Sequence, residues 1–299
     1  MSDYSPVSVP HERSELVHWA GSTIRIGSRS FYMASQLFDR ATRERAWLLY
    51  AWCRHCDDRC DGQELGGPLS ASDASVIDEL RRETHRALAG DMSAAAPYRA
   101  LASVAAERGL PVRYIDDHLE GFALDCAGWT PQSEADLLRY CYHVAGTVGC
   151  MMAVVMGIDP DDDATLDTAC ALGLSFQLGN IARDVAEDHA GGRCYLPKAW
   201  MEEFGVEPAD PMNPARRDAL VALVGRLVDL SLLYEERAMA GIARLDFRSR
   251  WAIHSARSIY GGIGREVAAR GAQAWDERVA ISTPRKLAIV ARSLLRAAA

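Results

Sequence analysis

Two pairs of aspartates spaced for the same face of a helix dominate the chemistry available to this chain: Asp57 and Asp61 in LYAWCRHCDDRCD, and Asp184 and Asp188 in FQLGNIARDVAED. At ~100° per residue, positions four apart lie one above the other. Tyr50 and Arg54 extend the first stripe, with Asp58 beside it, and Gln177 and Asn180 extend the second. Like charges at this spacing destabilise a helix, and buried ones require a compensating cation. Carboxylate and amide oxygens are hard ligands that suit Mg²⁺, an ion that keeps several waters and bridges to phosphates. The chemistry expected of such faces is metal-assisted departure of a diphosphate, with nearby arginines completing the anion site. Arg54, Arg183 and Arg193 are candidates for that task, followed by Arg257, Arg265 and Arg278.

An acid pair on an exposed helix is commonly just solvated. Here AWLLYAWC precedes the first pair and ALGLSFQLGNIA the second, so both lie on strongly apolar helices, where acids are more often functional. Cys53, His55, Cys56 and Cys60 suggest zinc, but they fall within one helical pattern and lack a second C-x-x-C, which argues for packing instead.

Helical periodicity recurs throughout, with few strand signals, and predicts an all-α fold. Expected helices run near 13–27, 41–61, 71–89, 94–108, 111–126, 132–157, 164–189, 213–240, 248–271 and 284–297. Residues 1–13 read as a flexible N-terminal arm and 14–299 as a single domain, with a mobile segment at 62–70 and an irregular connection at 190–212. Small residues between Val144 and Ile158 fit either tight helix packing or a pocket wall. Phe31, Phe122, Phe176 and Phe247 are candidate aromatic faces for a carbocation.

The net charge of −8 argues against a nucleic-acid partner. Eight cysteines embedded in apolar helical patterns suggest a reducing, cytoplasmic setting. The longest nearly uncharged run, Val144 to Ile158, is about 15 residues, short of the ~20 a spanning helix needs. No strongly basic amphipathic helix stands out.

Seven blocks in order, GSRSF (27–31), LYAWCRHCDDRCD (49–61), DHLEGFALD (117–125), RYCYHVAGTVG (139–149), FQLGNIARDVAED (176–188), GRCYLP (192–197) and QAWDERV (273–279), give a chain that resembles the squalene/phytoene synthase family, most of all its bacterial phytoene-forming members. The resemblance implies an all-α isoprenoid synthase bundle around a deep apolar cavity, with the two aspartate helices at its mouth. It implies that Asp57, Asp58, Asp61, Asn180, Asp184 and Asp188 hold Mg²⁺, with Mn²⁺ as an alternative. Ser28, Arg54, Asn180 and Arg278 would face the diphosphates of two geranylgeranyl diphosphate molecules, and Tyr50, Arg54 and Gln177 would serve catalysis. The implied reaction is head-to-head condensation through a cyclopropylcarbinyl diphosphate to phytoene, with no NADPH. The lipophilic product suggests peripheral contact with the inner membrane face. The alternatives are a squalene-type or dehydrosqualene synthase using farnesyl diphosphate, and a non-catalytic relative.

Overall fold

A computed structural model describes residues 13–60 and 75–298. Asp61, the segment 62–70 and all of the expected arm except Arg13 lie outside the described residues. Every regular element among the described residues is helical. The chain groups into two compact units, residues 1–111 and 112–299, taken here in turn.

The first unit holds α1 (Arg13–Gly27), α2 (Arg29–Ser35), α3 (Arg40–Cys60), α4 (Ser75–Leu88) and α5 (Ala96–Arg108). Helix α3 is its centre, packed against α1 and α5. It buries Ala46, Leu48, Leu49, Trp52 and Cys56, while Leu16, Ala20 and Ile24 of α1 and Leu101 and Val104 of α5 close over it. Arg13, read both as the end of the arm and as the start of the helix expected at 13–27, opens α1 and forms ion pairs with Glu44 and Glu107. Helix α2 was not expected, because seven residues are too few to display a period. It starts where Ser28 caps it, the hydroxyl accepting from the Phe31 amide.

The second unit holds α6 (Val112–Cys126), α7 (Glu134–Cys141), α8 (Thr147–Val155), α9 (Asp163–Ala190), α10 (Lys198–Phe204), α11 (Arg217–Arg237), α12 (Met239–Ile242), α13 (Phe247–Arg270) and α14 (Thr283–Ala298). The helix expected at 132–157 is interrupted by a π-helical turn, Tyr142–Gly146, in which the Thr147 amide donates to the Tyr142 carbonyl five residues back. Helix α10 lies in the connection expected to be irregular, starting directly after Pro197. The expected 213–240 helix breaks near Ala238 into α11 and α12.

Helix α9 is the axis of this unit, with α8, α11 and α13 against it. Leu174, Leu178, Ile181 and Val185 meet Leu223 and Leu227 of α11 and Ile259 and Ile263 of α13 in the core. Asp162 caps α9 and Asp246 caps α13, each accepting amides of the first turn. On the α8 side the contact is backbone to backbone. A Cβ on Gly173 would sit 2.2 Å from the Ala145 carbonyl oxygen, and one on Gly149 would sit 2.3 Å from that of Ala169.

Candidate active site

In the first unit, α3 presents Tyr50, Arg54, Asp57 and Asp58 together. Arg54 binds Asp57 at 3.1 Å and Asp58 at 2.5 Å, so the guanidinium is held by the two acids that follow it. Arg59 turns to Glu79 of α4 at 2.6 Å, away from the acid stripe, as its helical position predicts. The Tyr50 hydroxyl occupies space left by Gly27, where a Cβ would approach it to 2.6 Å. Phe31 meets the Tyr50 ring edge-on, with centroids 5.6 Å apart. Burial pushes the Tyr50 phenol up to about 12, against the nearby Arg54 charge, so at neutral pH it is a hydrogen-bond donor and not a base. Gly27 escaped sequence reasoning, although it opens the GSRSF block.

In the second unit, α9 carries half-buried Gln177, Asn180, Asp184 and Asp188 at helical spacing. Arg183 folds onto its neighbour Asp184 in a two-pronged ion pair. Arg278 reaches the same carboxylate at 3.0 Å and Glu187 at 3.1 Å. Arg278, on the segment between α13 and α14, is thus brought to the second acid motif. Trp275 fixes that segment, its indole N–H donating to the Ala182 carbonyl at 3.1 Å. Burial works against the Asp184 charge, but the Arg183 hydrogen bond and the charges of Arg183 and Arg278 outweigh it and keep the carboxyl below its ordinary range.

Asp188 is the opposite case. Burial first, then the Asp184 charge, pushes it up to about 7, with Glu187 and Asp125 adding and Arg193 opposing. Asp125 of α6 accepts from the hydroxyls of Tyr195 at 2.8 Å and Tyr140 at 3.1 Å, whose rings stack at 4.8 Å. Asp117 of the same helix accepts from Tyr142, the first residue of the π-turn. Neither aspartate–tyrosine set was singled out from sequence, although all of these residues lie in the motif blocks quoted above.

Before the acids along α9, the second unit forms a partly open apolar cavity of about 220 Å³. Its wall includes Val144, Val148, Gly149, Met152, Met156, Leu172, Gly173, Phe176 and Ile253, and among the described residues its polar lining is Thr165 and Thr168. The small residues of 144–158 therefore do both things considered for them: they let α8 approach α9 and they shape the cavity. Of the four phenylalanines, Phe176 lines the cavity, its ring 5.0 Å from that of Tyr260. Phe31 packs on Tyr50, Phe122 is buried beside His118, and Phe247 is exposed.

The family model for squalene/phytoene synthase matches residues 24–285. The chain belongs to the squalene/phytoene synthase family. It is 44% identical over 279 residues to a 15-cis-phytoene synthase of Pantoea ananas, spanning 92% of this chain and 90% of that one. It is 45% identical over 271 residues to a 15-cis-phytoene synthase of Enterobacter agglomerans, spanning 89% and 91%. A crystal structure of a dehydrosqualene synthase superposes with a TM-score of 0.85 at 27% identity, over 95% of this chain and 97% of that one. The all-α fold read from the sequence is therefore the fold of this family, and the protein is a prenyl-transferring enzyme.

For such an enzyme, the Trp275 anchor makes a testable positioning device. Trp275→Phe keeps an aromatic ring, though a smaller one, and removes the donor to Ala182. We expect kcat/KM to fall roughly tenfold, and Arg278→Ala to cost roughly a hundredfold. The double variant should be no worse than Arg278→Ala alone, since the two residues act in series. Additive losses would show that Trp275 does not act through Arg278.

Proposed function

We propose that the protein condenses two molecules of geranylgeranyl diphosphate head to head into 15-cis-phytoene. The observation that carries this reading is the division of labour along α9. Residues 165–176 line the apolar cavity, and Asp184 begins the acidic stripe eight residues beyond Phe176, about 12 Å at 1.5 Å per residue. One helix thus offers an apolar wall and an ionic head site at the spacing of an amphiphile with a diphosphate at one end. The names of the bacterial relatives support the twenty-carbon substrate.

The residues present fit a hard divalent ion. Asp184, Asp188 and Asn180 supply oxygen donors, and the Asp188 pKa is raised first by burial and then by the charge of Asp184 one turn away. Among the described residues no three acidic, histidine or cysteine side chains already form a cluster, so substrate oxygens and water would complete the shell. Asp57 and Asp58, with Asp61 beyond the described residues, would serve the same role in the first motif. Mg²⁺ held there supplies charge neutralisation of the departing diphosphate.

The chain's own groups supply the remainder. Arg54, Arg183 and Arg278 bind diphosphate oxygens, exchanging their carboxylate contacts for the substrate's. Ionisation breaks the C1–O bond of one substrate, and the electron pair leaves with the diphosphate. The double bond of the second substrate attacks the allylic cation, and proton loss closes the cyclopropylcarbinyl diphosphate. A second ionisation, ring rearrangement and proton loss give the product. The cavity keeps water from the cations, and the Phe176 face stabilises positive charge. Tyr50 holds a hydrogen bond to the departing diphosphate as a donor, Ser28 offers its hydroxyl hydrogen likewise, and Gln177 orients the reacting chain.

A second reading, condensation of farnesyl diphosphate, draws support from the likeness to dehydrosqualene synthase. Purified protein incubated with either diphosphate and Mg²⁺, with and without NADPH, separates the two. Phytoene from the twenty-carbon substrate is expected, and a thirty-carbon hydrocarbon alone would replace this reading with the second.

The Asp188 pKa gives a pH prediction for the metal-free protein. Its folded value of about 7 exceeds the ~4 of an unfolded aspartate. Between those values only the folded state holds the proton, so the stabilisation is complete below ~4 and lost as pH rises through 7. In EDTA the wild type should lose on the order of 1–2 kcal/mol relative to Asp188→Asn over that window, a range that allows for solvent screening at a half-buried carboxyl. Urea melts at pH 4.5 and 7.5 measure it, and equal slopes for the two proteins would refute it.

A further inference from the structure

We propose that the outward face of α14 is the surface by which this protein docks on an anionic lipid bilayer. The proposal deepens the peripheral membrane contact implied by a lipophilic product, and rests on that reading only for its purpose. The sequence reading found no strongly basic amphipathic helix, because a helix's free face is defined only once its covered face is known. Helix α13 covers the side of α14 that carries Ser293 and Ala297, both buried, and the Trp251 indole donates to the Val290 carbonyl at 2.8 Å.

The side left open holds Leu287, Ala288, Ala291, Leu294 and Leu295, all within about 60° of one direction at ~100° per residue. Leu287 is 57% exposed and Leu295 75%, values unusual for leucines on one stripe. Arg285, Arg292 and Arg296 run along one flank of that stripe.

The charge distribution selects the occupant. The chain carries a net charge of −8. Yet α14 holds Arg285, Lys286, Arg292 and Arg296 with no acid, and α13 holds five arginines with the single acid Glu266, two of the five, Arg257 and Arg265, being paired with Glu235 of α11. Glu266 is engaged by Arg270 and Arg285, and Arg292 has no carboxylate partner among the described residues. An apolar stripe edged by cations is the surface that lies in the headgroup region of an anionic bilayer, leucines among the acyl chains and arginines at the phosphates. A second copy of the chain would bring the same cations against each other.

The placement also serves the chemistry. Ile253 of α13 lines the apolar cavity and Trp251 of the same helix meets α14. Helix α13 therefore stands between the cavity and α14, whose far side is the apolar face.

Sedimentation of the full chain with lipid vesicles, without substrate, tests the proposal apart from turnover. Binding to phosphatidylcholine vesicles containing about one third phosphatidylglycerol should exceed binding to phosphatidylcholine alone at least tenfold, and should weaken with added NaCl. Leu287→Glu with Leu295→Glu should weaken it more than tenfold with an unchanged far-UV spectrum. Arg292→Gln, a conservative change on an exposed side chain, should weaken anionic binding about fivefold, the effect of one cation near a charged surface, and decides the matter should the leucine pair impair folding. Wild type that ignores vesicles, variants that bind like wild type, or a concentration-dependent dimer abolished by the leucine changes in place of vesicle binding would each overturn the proposal.

Discussion

Asp184→Asn is expected to lower the rate of hydrocarbon formation from geranylgeranyl diphosphate by a factor of 10³ or more, about 4 kcal/mol of transition-state stabilisation. The residue is nearly isosteric, so the loss is one of charge. Asp184 is the carboxylate on which Arg183 and Arg278 both close, and it lies one helical turn from Asp188 on the same stripe. Without it the ion site loses a hard anionic donor, and the two guanidiniums lose the group that holds them in position before substrate arrives. Single-turnover extraction of the product, with the Mg²⁺ dependence followed in parallel, provides the measurement. The concentration of Mg²⁺ needed for half the maximal rate should rise as the rate falls. A variant within tenfold of wild type at every Mg²⁺ concentration would remove Asp184 from the ion site.

Gly173→Ala should cost far more stability than one added methyl group ordinarily does. In a helix interior this exchange ordinarily stabilises by about 1 kcal/mol. Here the added carbon would lie 2.2 Å from the Ala145 oxygen, 2.7 Å from the Ala145 carbonyl carbon and 2.9 Å from the Gly146 Cα. All three are backbone atoms, so no rotamer relieves the clash, and α9 must move away from the π-turn along its length. A net destabilisation on the order of 3 kcal/mol follows, within the range of overpacked cores. Gly225→Ala in α11, with nothing within 4 Å of the added carbon, is the internal control and should raise the melting temperature slightly. If both variants shifted in the same direction, propensity and not the close approach would govern position 173.

The sequence carried more of the chemistry than of its support. The second acidic stripe, and Tyr50, Arg54 and Asp57 of the first, were legible because helical spacing alone fixes which side chains share a face. The outward turn of Arg59 followed from the same rule. From the residues alone Arg278 was one of several weaker arginine candidates, and only the resemblance singled it out, since nothing local links a residue after α13 to one in the last turns of α9; the Trp275 bond that makes the link is a long-range contact. The seat that Gly27 leaves for Tyr50, and the two tyrosines sharing Asp125, were hidden for the same reason. Helices α2 and α10 are too short to show a period and depend on Ser28 and Pro197 to start. The free face of α14 was invisible because amphipathicity reveals that a helix has two sides, and only packing reveals which of them is covered.

The π-turn at Tyr142–Gly146 has a consequence for evolution. A turn of this kind carries one residue more than regular helix allows, and so shifts the angular phase of everything after it by about 100°. Before it, Leu137 and Tyr140 face the core and Asp125; after it, Gly149 faces the α9 backbone and Met152 the cavity. No uninterrupted helix satisfies both sets of neighbours. Loss of one codon within 142–146 would restore a regular spiral and turn the cavity wall away from its contents, so insertions and deletions here should be tolerated far less than substitutions of similar size.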